Sequence, residues 1–497
     1  MSSEDVAHST FEGHPYTHLF TAPDSDVSVV FRVDLMQQAI CSPRGLELVK
    51  AVLSGKASPD ALPSGVRDLV CGAGPESPIS ANSPARAGIE HVQALFVVPT
   101  LDCQLRCKYC RITRQQGHQS GHRLSPQSAR DAIDRVLGRV PSGTRRTLVL
   151  FGGEPLLVPD TVFAAISHAR EAPEGHNTDI MLQTNGMAID VPTARFLAEH
   201  DVFVLLSLDG VADVHDENRV LAGGGGSYAR SVQGYRNAKA HGCRLGISAT
   251  VTKATEDRFV SSFQAMLADL LPDACGAVTH LHPLTTGRSP FQCSPAVATA
   301  VLRETFLAAR GMGIYHQQMC ERIAPFVSGT WRRYACAGCG GKVVVAPDGS
   351  AGICEYNAGD GRSYVPLDEF SADTVTEFLQ WAARSPLDTR ECMRCAALPT
   401  CGGGCAYDSQ ELMGDALKFD PWLCETNVDV VRWLMRDLAS HLRDRVRSHD
   451  FHVVTPEERA LVIGRIPSDS VHLHVSRIGQ HREAAEAGEC PEPCAAG

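Results

Sequence analysis

The chain has 497 residues, 43% of them hydrophobic and 21% charged, the make-up of an ordinary folded protein of roughly two to four domains. Its 46 Lys and Arg stand against 57 Asp and Glu, a net charge of −11 that lacks the basic surplus nucleic-acid binding calls for. The polar start, Met1-Ser-Ser-Glu-Asp-Val-Ala-His8, and the lack of any run near the roughly 18 apolar residues of a membrane span lead us to expect a cytoplasmic protein with no membrane contact.

Residues 1–90 read as a leading module. Residues 27–33 are rich in β-branched side chains and predict a strand; the segment from Pro43 places Leu46, Leu48, Val49, Val52 and Leu53 on one helical face. Residues 72–87, rich in Gly, Pro, Ser and Ala, read as a linker. Such a module suits either peptide recognition by strand addition or a structural lid.

Nineteen cysteines are too many for a cytosolic chain that merely tolerates thiols, and eleven of them fall into two compact arrays, which points to metal or catalytic use. The other eight (Cys41, Cys71, Cys243, Cys275, Cys293, Cys320, Cys490 and Cys494) read mostly as scattered small hydrophobes. The first array is Cys103-x3-Cys107-x2-Cys110, which follows an apolar run beginning at Ala94. Three thiolates this close can ligate three irons of a 4Fe–4S cluster and leave the fourth open; a zinc loop is the competing reading.

From 91 to 290 strands and helices alternate. Strands are predicted at residues 93–100, 147–153, 179–184, 203–208, 244–252 and 277–284, with a helix capped by Ser125-Pro126 between the first two. Six such units imply a parallel sheet, open or curled into a partial barrel, with function at the C-terminal strand ends. Polar motifs stand there: Gly152-Gly153-Glu154-Pro155, Gln183-Thr-Asn-Gly186, Ser207-Leu-Asp209-Gly210 and His215-Asp-Glu-Asn-Arg219. The glycines would let backbone approach a ligand, Glu154 offers an acceptor for an ammonium group, Ser207 and Asp209 could bond ribose hydroxyls, and Arg219 could clamp a carboxylate. Gly223-Gly-Gly-Gly-Ser-Tyr228 lacks the Lys-Ser/Thr ending of a phosphate loop and reads as a turn.

The cysteine loop, with Tyr109 before its last cysteine, and these motifs resemble the radical S-adenosylmethionine (SAM) enzymes. The resemblance implies a partial (β/α)6 TIM-like barrel, a cluster whose open iron binds SAM, and reductive cleavage to methionine and a 5′-deoxyadenosyl radical. By motif matching it sets Glu154 at the methionine amino group, Ser207 at the ribose and Arg219 at the carboxylate, with Asp209 a further ribose contact.

Residues 291–335 are expected to bridge by helices, the clearest at 296–311. The second array follows over 336–446: Cys336, Cys339, Cys354, Cys392-x2-Cys395-x5-Cys401-x3-Cys405 and Cys424. It resembles the SPASM extension of radical SAM peptide (RiPP) maturases, which implies two auxiliary 4Fe–4S clusters and three in all. Carried over residue by residue, Cys354 and Cys405 serve the first, and Cys392, Cys395, Cys401 and Cys424 the second. Cys336 and Cys339 either both complete the first, which is the expectation, or one is idle. Glu355 stands where some relatives carry a proposed base and is the candidate catalytic residue, although an exposed loop carboxylate reads as well.

Residues 427–445 predict an amphipathic helix. The extension 447–497 holds expected strands at 451–454 and 470–475, and a charged, Ala-rich tail with Cys490 and Cys494 that reads as disordered. The combined expectation is a peptide maturase acting on a ribosomally made precursor peptide, served by an electron donor such as ferredoxin or flavodoxin. Formylglycine formation of the sulfatase-maturase type is the alternative, and a non-catalytic iron–sulfur carrier or scaffold the reading of another class.

Overall fold

The computed structural model describes residues 7–21, 25–72, 88–114, 121–270, 278–283 and 290–464. Two sheets organise it. The first is antiparallel and runs β1 (Ala7–Phe11), β2 (His14–Thr21), β3 (Ser28–Arg32), β4 (Gln37–Cys41) and β15 (Phe451–Val453) in that spatial order. The second, ten-stranded, carries β5 (Ala94–Val97), β6 (Arg146–Leu150), β7 (Thr178–Thr184), β8 (Phe203–Ser207), β9 (Arg244–Val251) and β10 (Val278–Pro283) as parallel neighbours. β11 (Tyr315–His316) extends it beyond β10, and β12 (Lys342–Val345), β13 (Ser350–Gly352) and β14 (Val365–Pro366) extend it beyond β5.

The alternation of β3 explains the first sheet. Val29, Phe31 and Val33 face the main core, whereas Val30, with Leu19, Ala39 and Cys41, faces a second cluster under the helices Pro43–Leu53 and Ser64–Cys71. Phe31 meets Phe326 edge-on at 6.2 Å, Trp331 Nε1 donates to the Val33 carbonyl at 3.4 Å, and Arg459 donates to the Met36 carbonyl at 2.8 Å. The leading module is thus a four-stranded sheet rather than the one strand legible in the sequence, and the extension closes its β4 edge through β15.

In the second sheet β6 and β8 are buried on both faces, as continuous apolar runs in a helix-covered parallel sheet must be. The helix Pro126–Val136 starts as expected, with Ser125 Oγ accepting from Ser128 N at 3.0 Å and Pro126 in its first turn. β12 pairs in parallel with β5, Val344 opposite Phe96, so the cysteine-rich region shares a sheet with the barrel strands and the boundary expected near residue 336 is crossed by backbone hydrogen bonds. The helix Pro421–Leu442 begins earlier than predicted because Asp420 caps it through Trp422 N at 2.9 Å, which puts Cys424 in its first turn. At 223–228 the structure has a tight turn, with Asp216 Oδ1 accepting from Ser227 N and Tyr228 N. Most of the linker, the strand expected at 470–475 and the tail with Cys490 and Cys494 lie outside the described residues. Among the described residues no helix is long and apolar enough to cross a membrane.

Candidate active site and cluster centres

The loop after β5 carries Cys103, Cys107 and Cys110, all partly buried. Its fold is fixed by the neighbouring strand ends. Gly153 N donates to Thr100 O at 3.0 Å and Glu154 N to Asp102 O at 2.9 Å. A Cβ on Gly153 would lie 2.3 Å from the Asp102 carbonyl oxygen, and one on Gly152 2.5 Å from that of Thr100. The two glycines expected to bring backbone close to a ligand therefore make room for the protein's own cysteine loop.

Glu154 is fully buried at the end of β6. Its oxygens accept from Thr184 Oγ1 at 2.8 Å, Asn185 N at 2.8 Å and Leu156 N at 3.0 Å. Burial raises the carboxyl above its usual range, and the three donors oppose that by favouring the anion. The Gln183–Gly186 motif thus reaches the site by holding Glu154, and Asn185 Nδ2 lies 3.9 Å from Cys103 Sγ.

Asp209 and Arg219, both expected to contact SAM, are held by protein partners. Arg219 Nε lies 3.0 Å from Asp209 Oδ2 with both side chains buried, Tyr109 Oη donates to that same oxygen at 2.7 Å, and Thr250 N donates to Oδ1 at 2.9 Å. The Arg219 guanidinium also stands 5.4 Å from the Tyr109 ring centroid. These three residues fasten the cysteine loop to the ends of β8 and β9 and put a cation beside Cys107. Burial pushes the Cys107 thiol up to about 12, and Arg219 counters it. His215 accepts from Asp209 N and bonds Ser227 Oγ, which in turn donates to the Arg219 carbonyl; burial lowers its pKa to about 4, so it serves here as a neutral strut. Ser207 is buried at the last position of β8.

The second array separates into two groups by electrostatic proximity. Cys336, Cys354 and Cys405 act on one another, and so do Cys392, Cys395, Cys401 and Cys424. Cys339 is buried, one hydrogen-bonded turn after Cys336. Gly402, Gly403 and Gly404, at φ of 63°, 80° and 74°, carry the chain between Cys401 and Cys405 in a left-handed turn that delivers neighbouring cysteines to different groups.

Among the described residues no three His, Cys, Asp or Glu side chains are gathered as for a single metal ion. A four-iron cluster holds its thiolates on separate irons, and the surroundings suit that. Backbone N–H groups of Leu105, Gly338, Gly403 and Asp408 point at the sulfurs of Cys103, Cys336, Cys401 and Cys405 at 3.3–3.5 Å. Around Cys401 stand Arg322, Arg332 and Arg384, and Arg322 Nη1 and Arg332 Nε are buried without a hydrogen-bond partner, a cationic lining for an anionic group.

Glu355, the candidate catalytic residue, stands in an ion pair. Its carboxylate pairs with Lys342 Nζ, and the Lys342 side chain is 3% exposed and sits 4.4 Å from the Phe96 ring centroid. Lys342, Arg111, Tyr356 and Tyr407 were not legible as site residues, because no local spacing pattern links them to their partners.

The family match agrees with this geometry: the Radical SAM superfamily description fits residues 97–265. The serine-type anaerobic sulfatase-maturating enzyme of Klebsiella aerogenes is 26% identical over 332 residues, covering 61% of this chain and 76% of that protein. The radical SAM cyclopropyl synthase TigE of Paramaledivibacter caminithermalis is 20% identical over 359 residues, 70% of this chain and 74% of that one. In fold, the chain is similar to native anSMEcpe with bound AdoMet and Cp18Cys peptide (TM-score 0.58, 21% identity, 71% of this chain and 99% of that one). It is also similar to Streptococcus suis SuiB bound to precursor peptide SuiA (TM-score 0.51, 14% identity, 85% and 99%). Residues 97–265 thus form a radical SAM domain, and the enzyme-named relatives indicate an enzyme. The domain brings with it SAM and a 4Fe–4S cluster.

Proposed function

We propose that this enzyme is a peptide maturase that installs an oxidised or cross-linked side chain in a ribosomally made precursor. The observation that carries the reading is the pair of cysteine groups at 336–424, built onto the barrel sheet through β12 and surrounded by N–H donors and guanidinium groups. When bound, the cluster and SAM supply the 5′-deoxyadenosyl radical that abstracts hydrogen. Cys103, Cys107 and Cys110 would hold that cluster. Cys336, Cys339, Cys354 and Cys405 would hold a first auxiliary cluster, and Cys392, Cys395, Cys401 and Cys424 a second. Glu154 would receive the methionine amino group, and Ser207 the ribose. Tyr109, Asp209 and Arg219 would brace the loop so that its thiolates keep their spacing.

Among the described residues no strand pairs with the outer edge of β1, which is suited to adding a strand of the precursor. A small reductant such as ferredoxin or flavodoxin would supply electrons. The test is coexpression with the short peptide encoded beside the gene, followed by mass spectrometry: a ring resistant to proteolysis is expected.

The names of the sulfatase-maturating relatives favour a second reading, formylglycine formation on a protein substrate. Its product is a linear aldehyde that reacts with a hydrazide probe, so the modified substrate separates the two: a reactive linear side chain on a protein against a ring in the peptide.

A further inference from the structure

Arg111 follows Cys110 directly, yet its side chain is committed to a different part of the protein. Its Nη1 lies 2.8 Å from Asp408 Oδ1, with both side chains largely buried. The guanidinium carbon is 4.7 Å from the Tyr356 ring centroid and 5.7 Å from that of Tyr407, and the two rings are 5.4 Å apart. Each of these three residues lies in a helical turn that a cysteine of the first auxiliary group opens: Tyr356 in the 3-10 turn Glu355–Asn357 after Cys354, and Tyr407 and Asp408 in the helix Ala406–Met413 after Cys405. Tyr356 stands two residues after Cys354, Tyr407 stands two after Cys405, and Asp408 N donates to Cys405 Sγ at 3.5 Å. Cys110 and Tyr356 also pack against one small apolar cluster with Val98, Leu101, Ile112 and Val344. Holding SAM requires none of this.

A guanidinium keeps its charge at every physiological pH, stacks on aromatic faces and pairs with carboxylates, so it can tie such segments together and still act as a fixed positive charge. A cluster gains one negative charge on reduction, and nearby positive charge in a poorly solvated site stabilises the reduced form. We propose that Arg111 is a positioning residue that ties the SAM-cluster loop to the first auxiliary centre and sets that centre's reduction potential, holding it more positive than it would otherwise be. This rests on the reading that Cys336, Cys354 and Cys405 hold an iron–sulfur cluster. Arg362 provides an internal control. It faces Tyr407 at 5.9 Å but is 43% exposed and paired with Glu411, so solvent screens its charge.

The experiment is an anaerobic potentiometric titration of the full-length reconstituted protein, followed by electron paramagnetic resonance, with iron and sulfide counted in each sample. The first auxiliary signal is the one that SAM addition leaves unchanged and Cys354→Ala removes; if wild-type protein shows no such signal, the cluster reading and this inference both fall. With the signal present, Arg111→Met at full iron content should lower the reduced-to-oxidised ratio at a fixed potential about tenfold, or ~59 mV for one electron. Arg111→Lys should restore most of the ratio, and Arg362→Met should leave it unchanged. An unchanged ratio in Arg111→Met, or an equal shift in Arg362→Met, overturns the inference while leaving the cluster reading intact. Should Arg111→Met lose iron, Asp408→Asn decides instead, since removing the counter-charge should raise the ratio; no change there overturns the inference.

Discussion

Tyr109 Oη donates to Asp209 Oδ2 at 2.7 Å, joining the cysteine loop to a strand end a hundred residues further along the chain. The same oxygen faces Arg219 Nε, so one buried carboxylate anchors both the loop and the guanidinium beside Cys107. Tyr109→Phe removes one donor from a buried anion and should cost about 1–3 kcal/mol. Because the loss falls on the loop, iron retained at the three-cysteine site after gel filtration should drop before global unfolding changes much. Asp209→Asn should be worse, since it leaves Arg219 buried without its counter-charge. Full iron retention in both variants would contradict the bracing role.

Glu154 gives a sharper expectation. Glutamine keeps its shape but turns one acceptor oxygen into a donor, which must then face Asn185 N, or Leu156 N and Thr184 Oγ1. Glu154→Gln should weaken SAM binding at least about tenfold, ~1.4 kcal/mol, as measured by equilibrium dialysis on iron-loaded protein. Wild-type affinity would remove Glu154 from the SAM site.

Lys342 and Glu355 separate structure from catalysis through their unequal burial. Lys342 is 3% exposed and Glu355 18%. Glu355→Gln strands a buried ammonium and should cost about 3–5 kcal/mol, whereas Lys342→Met leaves a carboxylate that water can partly reach and should cost less. Urea unfolding at matched iron content reads the difference. A Glu355→Gln protein of wild-type stability that turned over no substrate would instead return Glu355 to the role of base.

Much of this was legible in the sequence, and what was not has a physical cause. Strands β6 and β8 could be read because a parallel strand covered on both faces is mostly apolar, as Leu148 to Leu150 and Phe203 to Leu206 are, and β7 and β9 showed through their β-branched and apolar residues. β1 and β2 could not: Ala7–Phe11 and His14–Thr21 carry Ser, Thr and His where a plain apolar alternation would stand, and their partners decide their state. The cysteines announced themselves by spacing. Arg111, Lys342 and the Tyr109–Asp209–Arg219 brace did not, because charge pairing between separate segments leaves no local pattern. Gly152 and Gly153 were visible, but only the Thr100 and Asp102 carbonyls show what they make room for.

The leading sheet should carry an acid sensitivity. His8 Nε2 and His18 Nδ1 are 2.9 Å apart, and burial lowers their pKa values to about 4 and about 3; Arg432 acts in the same direction on His8. Both are neutral in the folded and unfolded chains above pH 6.5, so they contribute nothing there. As pH falls below 6.5 the unfolded chain takes up protons that the folded one refuses. Stability should therefore decline down to about pH 4, by at most ~1.4 kcal/mol per unit for His18 and less for the more exposed His8. Urea midpoints at pH 7.5 and 5.0 measure the decline, and His8→Phe, which keeps the stack on Phe20, should make it shallower by the His8 share while the His18 share remains. An identical decline in the variant would place the sensitivity elsewhere.

The central claim is that three cysteine groups hold three clusters and only the first breaks SAM. The most direct measurement is iron content together with 5′-deoxyadenosine release under dithionite, in wild-type protein and in the Cys103→Ala/Cys107→Ala/Cys110→Ala variant. Wild type should hold about twelve irons per chain and release the nucleoside; the variant should hold about eight and release none. A variant that still releases 5′-deoxyadenosine, or a wild type that saturates at about four irons, would contradict it.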